Sequence, residues 1–138
     1  VDHGTSPRNL RTMNHPDRQA EGFNAVCGDA LTLFIKLENN TIQDISFTGQ
    51  GCAISMASAS LMSQTLLGKS QEQAKILFKQ FQSMLVDEKT TECPEIKLNA
   101  LAGVKQFPMR VKCATLAWHT LHNALNQQST IANTEETL

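Results

Sequence analysis

The chain has 138 residues, with 12 Lys and Arg against 13 Asp and Glu, a net charge of −1 with neutral histidines, and 41% hydrophobic residues. That length suits one core, and the near-neutral balance argues against binding nucleic acid or an anionic membrane through bulk charge. No apolar run approaches the roughly 18 residues that span a bilayer, and Val1-Asp2-His3 has neither the charged leader nor the apolar core of a signal peptide, so a cytoplasmic domain is expected.

Gly4, Pro7, Pro16 and Gly22 punctuate a polar opening stretch, which predicts a flexible arm over about residues 1–22; a further strand before Cys27 is left open. Leu31, Leu33, Ile35 and Leu37 then alternate with Thr32, Phe34 and Lys36 at the period of a half-buried strand. Glu38-Asn39-Asn40 supplies turn residues that tolerate left-handed angles, and Ile42, Ile45 and Phe47 form a second β-rich run, so a hairpin is expected. After Gly49-Gln50-Gly51-Cys52 the spacing becomes helical, through Ile54, Ala57, Ser58, Leu61, Met62 and Thr65, and should stop near Gly68. Ser70 with Gln73 makes a capping box for the next helix, whose apolar stripe is Ala74, Leu77, Phe78, Phe81, Met84 and Leu85. Asp87 to Pro94 reads as a loop, Pro94 to Ala102 as a short helix and Gly103 to Pro108 as a break. Val111, Ala114, Trp118, Leu121 and Leu125 mark one face of a last helix from about Pro108 to Asn126, with a frayed tail over about 127–138. Strands early and helices late indicate the α+β class, a small antiparallel sheet packed on one face by helices, as a single domain over residues 1–138.

Four cysteines, Cys27, Cys52, Cys93 and Cys113, need not form disulfides in a reducing compartment. They point either to metal or sulfur chemistry or to small apolar core positions. Three of them fall where elements begin or end: Cys27 before the first strand, Cys52 between the second strand and its helix, and Cys113 assigned to the first turn of the last helix. Cys52 and Cys113 at helix N-termini would have their thiolates favoured by free amides and the helix dipole. Three thiolates with the Asp29 carboxylate make a tetrahedral set that suits zinc, with Arg110 and Lys112 available to offset its excess negative charge. Gathering ligands 25 and 61 residues apart costs about 3 and 4 kcal/mol. Structural zinc binding, worth roughly 10–16 kcal/mol, exceeds that. The spacing alone is weak, since Cys-x-x-Cys knuckles are absent.

The motifs are more specific than the spacing. Cys27-Gly28-Asp29, then Gly49-Gln50-Gly51-Cys52-Ala53-Ile54-Ser55 with Ser58-Ala59-Ser60, then Phe107-Pro108-Met109-Arg110-Val111-Lys112-Cys113-Ala114-Thr115-Leu116-Ala117-Trp118, together resemble the IscU/NifU-like family of iron–sulfur cluster assembly proteins. Asp2-His3 and Pro7-Arg8-Asn9 extend the likeness to nearly the whole chain. Lys112 stands where scaffold members of the IscU type have His, and the insertion holding the helix over 70–86 resembles the SufU branch. The resemblance implies a SufE/NifU-like fold and zinc held by Cys27, Asp29, Cys52 and Cys113. It also implies sulfur received from a SufS-type cysteine desulfurase and passed toward other Fe–S assembly proteins. In that scheme Cys27 is the acceptor: a histidine of the desulfurase takes its place on the metal, and the freed thiolate attacks the partner's persulfide. Whether the molecule counts as an enzyme or as an accessory to one stays open.

Blander readings stand beside these. Cys93 has no family motif around it; His3, His15, His119 and His122 read as solvated or hydrogen-bonded rather than ligating, and Trp118 as core. Arg110 is balanced between a thiolate contact, a desulfurase contact and a solvated side chain. The rival functions are an IscU-type scaffold assembling a 2Fe–2S cluster on Cys27, Cys52 and Cys113, a structural zinc interaction domain, and a dithiol redox enzyme, which the missing Cys-x-x-Cys disfavours.

Overall fold

The structure is a computed structural model that describes residues 9–24, 28–86, 101, 104, 106–126 and the backbone of 131–133. In chain order these form β1 (Arg18–Asn24), β2 (Asp29–Glu38), β3 (Thr41–Gln50), α1 (Ala53–Leu66), α2 (Gln71–Val86), α3 (Pro108–Asn126) and β4 (Ile131–Asn133). The strand order is β3-β2-β1-β4, with β1, β2 and β3 antiparallel and β4 added parallel to β1. The expected α+β architecture is the one observed.

The β2–β3 hairpin turns on Asn39 and Asn40, at φ 52° and 66°, the left-handed pair that a two-residue turn requires and that asparagine tolerates. Its register sets one face for the core: Leu33 opposite Phe47 and Ala20, and Ile35 opposite Ile45, all buried. The opposite face carries Glu21, Thr32 and Thr48 in one rank and Lys36 against Asp44 in another. On β1 the inward positions are Ala20, Gly22 and Asn24. They are small or polar because α3 lies close against them: a Cβ on Gly22 would sit 2.1 Å from Thr120 Oγ1.

Two sequence expectations change here. The arm predicted over residues 1–22 contains β1, which occupies the middle of the sheet. Its inward face has no large apolar residue, so no hydrophobic alternation announces it. Residues 9–11 are also engaged: Asn9 O and Arg11 N exchange hydrogen bonds with Phe47 at 3.1 and 2.9 Å, and Asn9 Nδ2 donates to Ser63 Oγ at 2.9 Å. The tail expected to fray from 127 includes β4, paired with Glu21–Phe23. The loop and short helix expected between Asp87 and Ala102 lie outside the described residues.

The helices follow their caps. Ser70 and Gln73 exchange reciprocal bonds, Gln73 N to Ser70 Oγ at 3.1 Å and Ser70 N to Gln73 Oε1 at 2.9 Å, the box read from sequence. The six apolar positions of α2 are all buried. Against them Trp118 of α3 is fully buried, its ring 4.8 Å from Phe81 and 6.5 Å from Phe78, both stacked. Burial of such side chains contributes about 1.5–3 kcal/mol each. Helix α1 is buried on nearly all sides and rich in serine, and each hydroxyl needs a partner. Ser58 donates to the Ala114 carbonyl and accepts from Trp118 Nε1 at 3.2 Å. Through Ser58, the turn of α3 that follows Cys113 is tied to α1, which begins beside Cys52.

Candidate metal centre

The β1–β2 hairpin closes with Asn24 opposite Asp29, and between them Gly28 takes φ 70°, a left-handed angle that a residue with a Cβ adopts at a cost. This turn sets Asp29 at the first position of β2, fully buried. A buried carboxylate needs donors, and Asp29 Oδ1 accepts the Cys52 amide at 2.8 Å. The second strand of the site's frame ends at Gly49-Gln50-Gly51, where a Cβ on Gly51 would lie 2.5 Å from Asp29 Oδ1. Glycine there lets the two chains close on one point.

Cys52 is the N-cap of α1, extended at φ −70° and ψ 164°, and its Sγ accepts the Ser55 amide at 3.5 Å. The sequence expectation of a thiol at a helix N-terminus holds for this residue. For Cys113 it does not: α3 starts at Pro108, so Cys113 sits in its second turn, where backbone amides are already committed to the helix. Its sulfur is instead approached by Asn24 Nδ2 at 3.6 Å. Cys113 is 1% exposed, whereas Cys52 is half-buried.

Asp29, Cys52 and Cys113 thus bring a carboxylate oxygen and two sulfurs within 4.8 Å of one another. Donors about 2.0–2.3 Å from one zinc ion at tetrahedral angles lie about 3.3–3.8 Å apart, so the three side chains share one ion by drawing together slightly. The donor chemistry fits too, with two thiols, a carboxylate whose other oxygen is anchored, and a room open on one side. That room is a cavity of about 310 Å³ lined by Cys52, Ala53, Ile54, Arg110 and Cys113. A larger hollow of about 430 Å³ against the outer face of the sheet, lined by Glu21, Phe23, Thr32 and Gln50 among others, presents no thiol or imidazole. Chemistry rather than size selects the smaller one.

Of the site residues expected from sequence, Asp29, Cys52 and Cys113 converge, and Arg110 lines the same cavity with its guanidinium 5.2 Å from the centre of the Phe107 ring. Phe107 and Met109 beside it are about half exposed. Cys27 and Cys93 lie outside the described residues. Sequence reasoning missed Asn24, which touches two of the donors. Its signal was parity: once β1 is drawn, Asn24 continues the inward series Ala20, Gly22.

His119 and His122 stand apart from this cluster, further along α3 and against Phe78, at ring separations of 5.3 and 5.6 Å. Burial, with a smaller contribution from His122, lowers the His119 pKa from 6.5 to about 4. The folded chain therefore resists protonating it. Its contribution to stability is complete above pH 6.5 and is lost as pH falls toward 4. Urea midpoints measured across that window should fall more steeply for the native chain than for His119→Phe, since carboxylate titration is common to both; parallel slopes would refute the assignment.

Residues 1–132 match the family described as "NifU-like N terminal domain". Over 129 residues, 93% of this chain and 87% of the relative, the sequence is 37% identical to the zinc-dependent sulfurtransferase SufU of Bacillus subtilis (strain 168). Over 122 residues, 83% of this chain and 77% of the relative, it is 38% identical to the iron–sulfur cluster assembly scaffold protein IscU of Streptococcus pyogenes serotype M1. Among solved structures, a putative iron–sulfur cluster assembly scaffold protein for the SUF system from Fervidobacterium islandicum AW-1 superposes with a TM-score of 0.82 at 33% identity, covering 90% of this chain and 91% of that one. With the motifs, the sheet order and the thiol–carboxylate cluster in agreement, the chain belongs to the NifU-like N-terminal domain family.

Proposed function

We propose that this protein is a zinc-dependent sulfur acceptor in Fe–S cluster biogenesis, taking persulfide sulfur on Cys27 from a SufS-type cysteine desulfurase in the cytoplasm. The observation that carries the reading is the convergence of Asp29, Cys52 and Cys113, drawn from three elements, within 4.8 Å. Cys27 supplies the fourth ligand: it is two residues from Asp29 in the chain, a span of at most about 7 Å. Bound zinc would keep the thiolates deprotonated and protected while adding no redox chemistry of its own.

The chain's own residues do the rest. Asp29 is held by the Cys52 amide and contributes a hard oxygen donor, which makes the set more labile than four thiolates. Once released, the Cys27 thiolate attacks the outer sulfur of the partner's persulfide; a new S–S bond forms as the old one breaks, and the desulfurase cysteine leaves as thiolate. Arg110, at the mouth of the cavity and stacked on Phe107, meets the incoming partner or the thiolate charge. The exposed Phe107 and Met109 extend that mouth as an apolar rim suited to a protein partner. Sulfur then moves on to other Fe–S assembly proteins.

The alternative is a scaffold that assembles a 2Fe–2S cluster on the same cysteines, in line with the name of the Streptococcus relative. Metal analysis and visible spectra of anaerobically purified protein separate the two. One equivalent of zinc in a colourless protein, together with faster sulfide release by a SufS-type desulfurase when the chain is added, supports the sulfur acceptor. A brown iron- and sulfide-containing protein that leaves desulfurase turnover unchanged would replace it with the scaffold.

A further inference from the structure

Asn24 is a fully buried amide whose two ends are used unequally. Its Nδ2 faces Asp29 Oδ2 at 3.4 Å and Cys113 Sγ at 3.6 Å, while its Oδ1 meets no hydrogen-bond partner among the described residues. An asparagine kept for the fold alone would ordinarily engage both ends, because an orphaned buried carbonyl is costly. Here the orientation places one neutral N–H group from β1 beside both the Asp29 carboxylate and the Cys113 sulfur.

The geometry points to Asn24 as a positioning residue of the metal centre: one amide group that fixes the Asp29 carboxylate and the Cys113 thiolate in mutual register. The assignment rests on the zinc-centre reading given above. Asp29 Oδ1 is already taken by the Cys52 amide at 2.8 Å. The remaining oxygen, Oδ2, faces the cavity thiols, 4.0 Å from Cys52 Sγ, and Asn24 controls its direction. Cys113 lies in the second turn of α3, past the free amides of the helix N-terminus, and Asn24 Nδ2 approaches its sulfur from β1 much as the Ser55 amide approaches that of Cys52. The two thiols thus obtain comparable donors from unrelated parts of the fold. Because the full ligand set carries more negative charge than one dication neutralises, neutral N–H donors to its oxygen and sulfur stabilise the loaded state without adding a ligand.

The test compares zinc-loaded wild type, Asn24→Leu, Asp29→Ala and the double variant by competition against a chromophoric chelator, with cobalt(II) absorption as a second readout. Asn24→Leu is expected to weaken zinc binding about 10–100-fold, the range for removing a partner that orients metal ligands, and to shift the thiolate-to-cobalt absorption. In the Asp29→Ala background the same substitution should cost less, because one of its two acceptors is gone. Should the leucine variant not fold, Asn24→Ser, which withdraws the amide from both acceptors without adding apolar bulk, is read in the same way. Affinity and cobalt spectrum unchanged from wild type, or an equal loss in both backgrounds, would overturn the positioning role and leave the zinc centre standing. A wild type that binds no zinc would overturn both.

Discussion

Replacing Cys27 with alanine is expected to reduce persulfide transfer from a cysteine desulfurase to the level seen without the chain, while the protein remains folded. The assignment is supported by what the other thiols are doing. Cys113 is 1% exposed and sits inside α3, so its sulfur offers an incoming partner almost no surface. The Cys52 sulfur caps α1 through the Ser55 amide, a role whose loss costs a helix about 1 kcal/mol. Cys27 falls in sequence after the end of β1 and before the start of β2, two residues ahead of Asp29, so its replacement removes no residue from either strand. Mass spectrometry after incubation with desulfurase and cysteine should show one added sulfur on the native chain and on Cys93→Ala, and none on Cys27→Ala. Full sulfur loading of Cys27→Ala would move the acceptor role to another cysteine. Cys52→Ala separates acceptance from metal holding: it should lose zinc affinity through the missing ligand while Cys27 remains available to be modified.

What could be read from the chain beforehand divides by the range of the interaction responsible. The Asn39-Asn40 turn, the Ser70–Gln73 box and the apolar stripe of α2 are local, set by neighbours at most four positions apart in sequence, and each appears in the structure where the pattern places it. Strand β1 was not legible because its inward residues, Ala20, Gly22 and Asn24, answer to α3, which lies about a hundred residues away in sequence. Phe23, the one large apolar residue in its second half, points to the open face and is 45% exposed, so the pattern runs opposite to the usual alternation. The same long range hid Asn24: nothing beside it in sequence announces that its partners are Asp29 across a hairpin and Cys113 across the domain. That Asp29, Cys52 and Cys113 come together was legible through motifs, since Cys, Asp and Gly at the ends of elements carry chemistry that local patterning does not otherwise need. Cys113 was placed correctly on its helix but one turn too early, and the support expected from the helix terminus comes instead from a side chain on the sheet.

The glycines around the centre give the second large expectation. Gly49 and Gly51 are two residues apart, yet they are glycines for different reasons. At Gly49 the backbone itself demands it: φ is 150°, and a Cβ would stand 2.2 Å from the Ala30 carbonyl oxygen and 2.7 Å from Leu31 Cα, both main-chain atoms of β2. Gly49→Ala should therefore weaken the sheet, lowering the thermal midpoint, while molecules that do fold retain their metal affinity. At Gly51 only space is at stake. The added Cβ would meet Asp29 at Oδ1, Cγ and Cα, at 2.5, 3.1 and 3.2 Å. Because the main chain of Asp29 is among those atoms, turning the side chain alone does not relieve the overlap, and any retreat breaks the 2.8 Å bond from the Cys52 amide that aligns the carboxylate with the start of α1. Gly51→Ala is accordingly expected to lower zinc affinity by at least about 100-fold, the upper end of what disturbed ligand orientation costs, with strain of about 1–3 kcal/mol in the apo protein. Chelator competition normalised to the folded fraction, measured by Trp118 fluorescence, distinguishes the two glycines. If Gly51→Ala binds zinc as tightly as the native chain, Asp29 is not held against the Gly51 backbone as described, and the carboxylate leaves the ligand set.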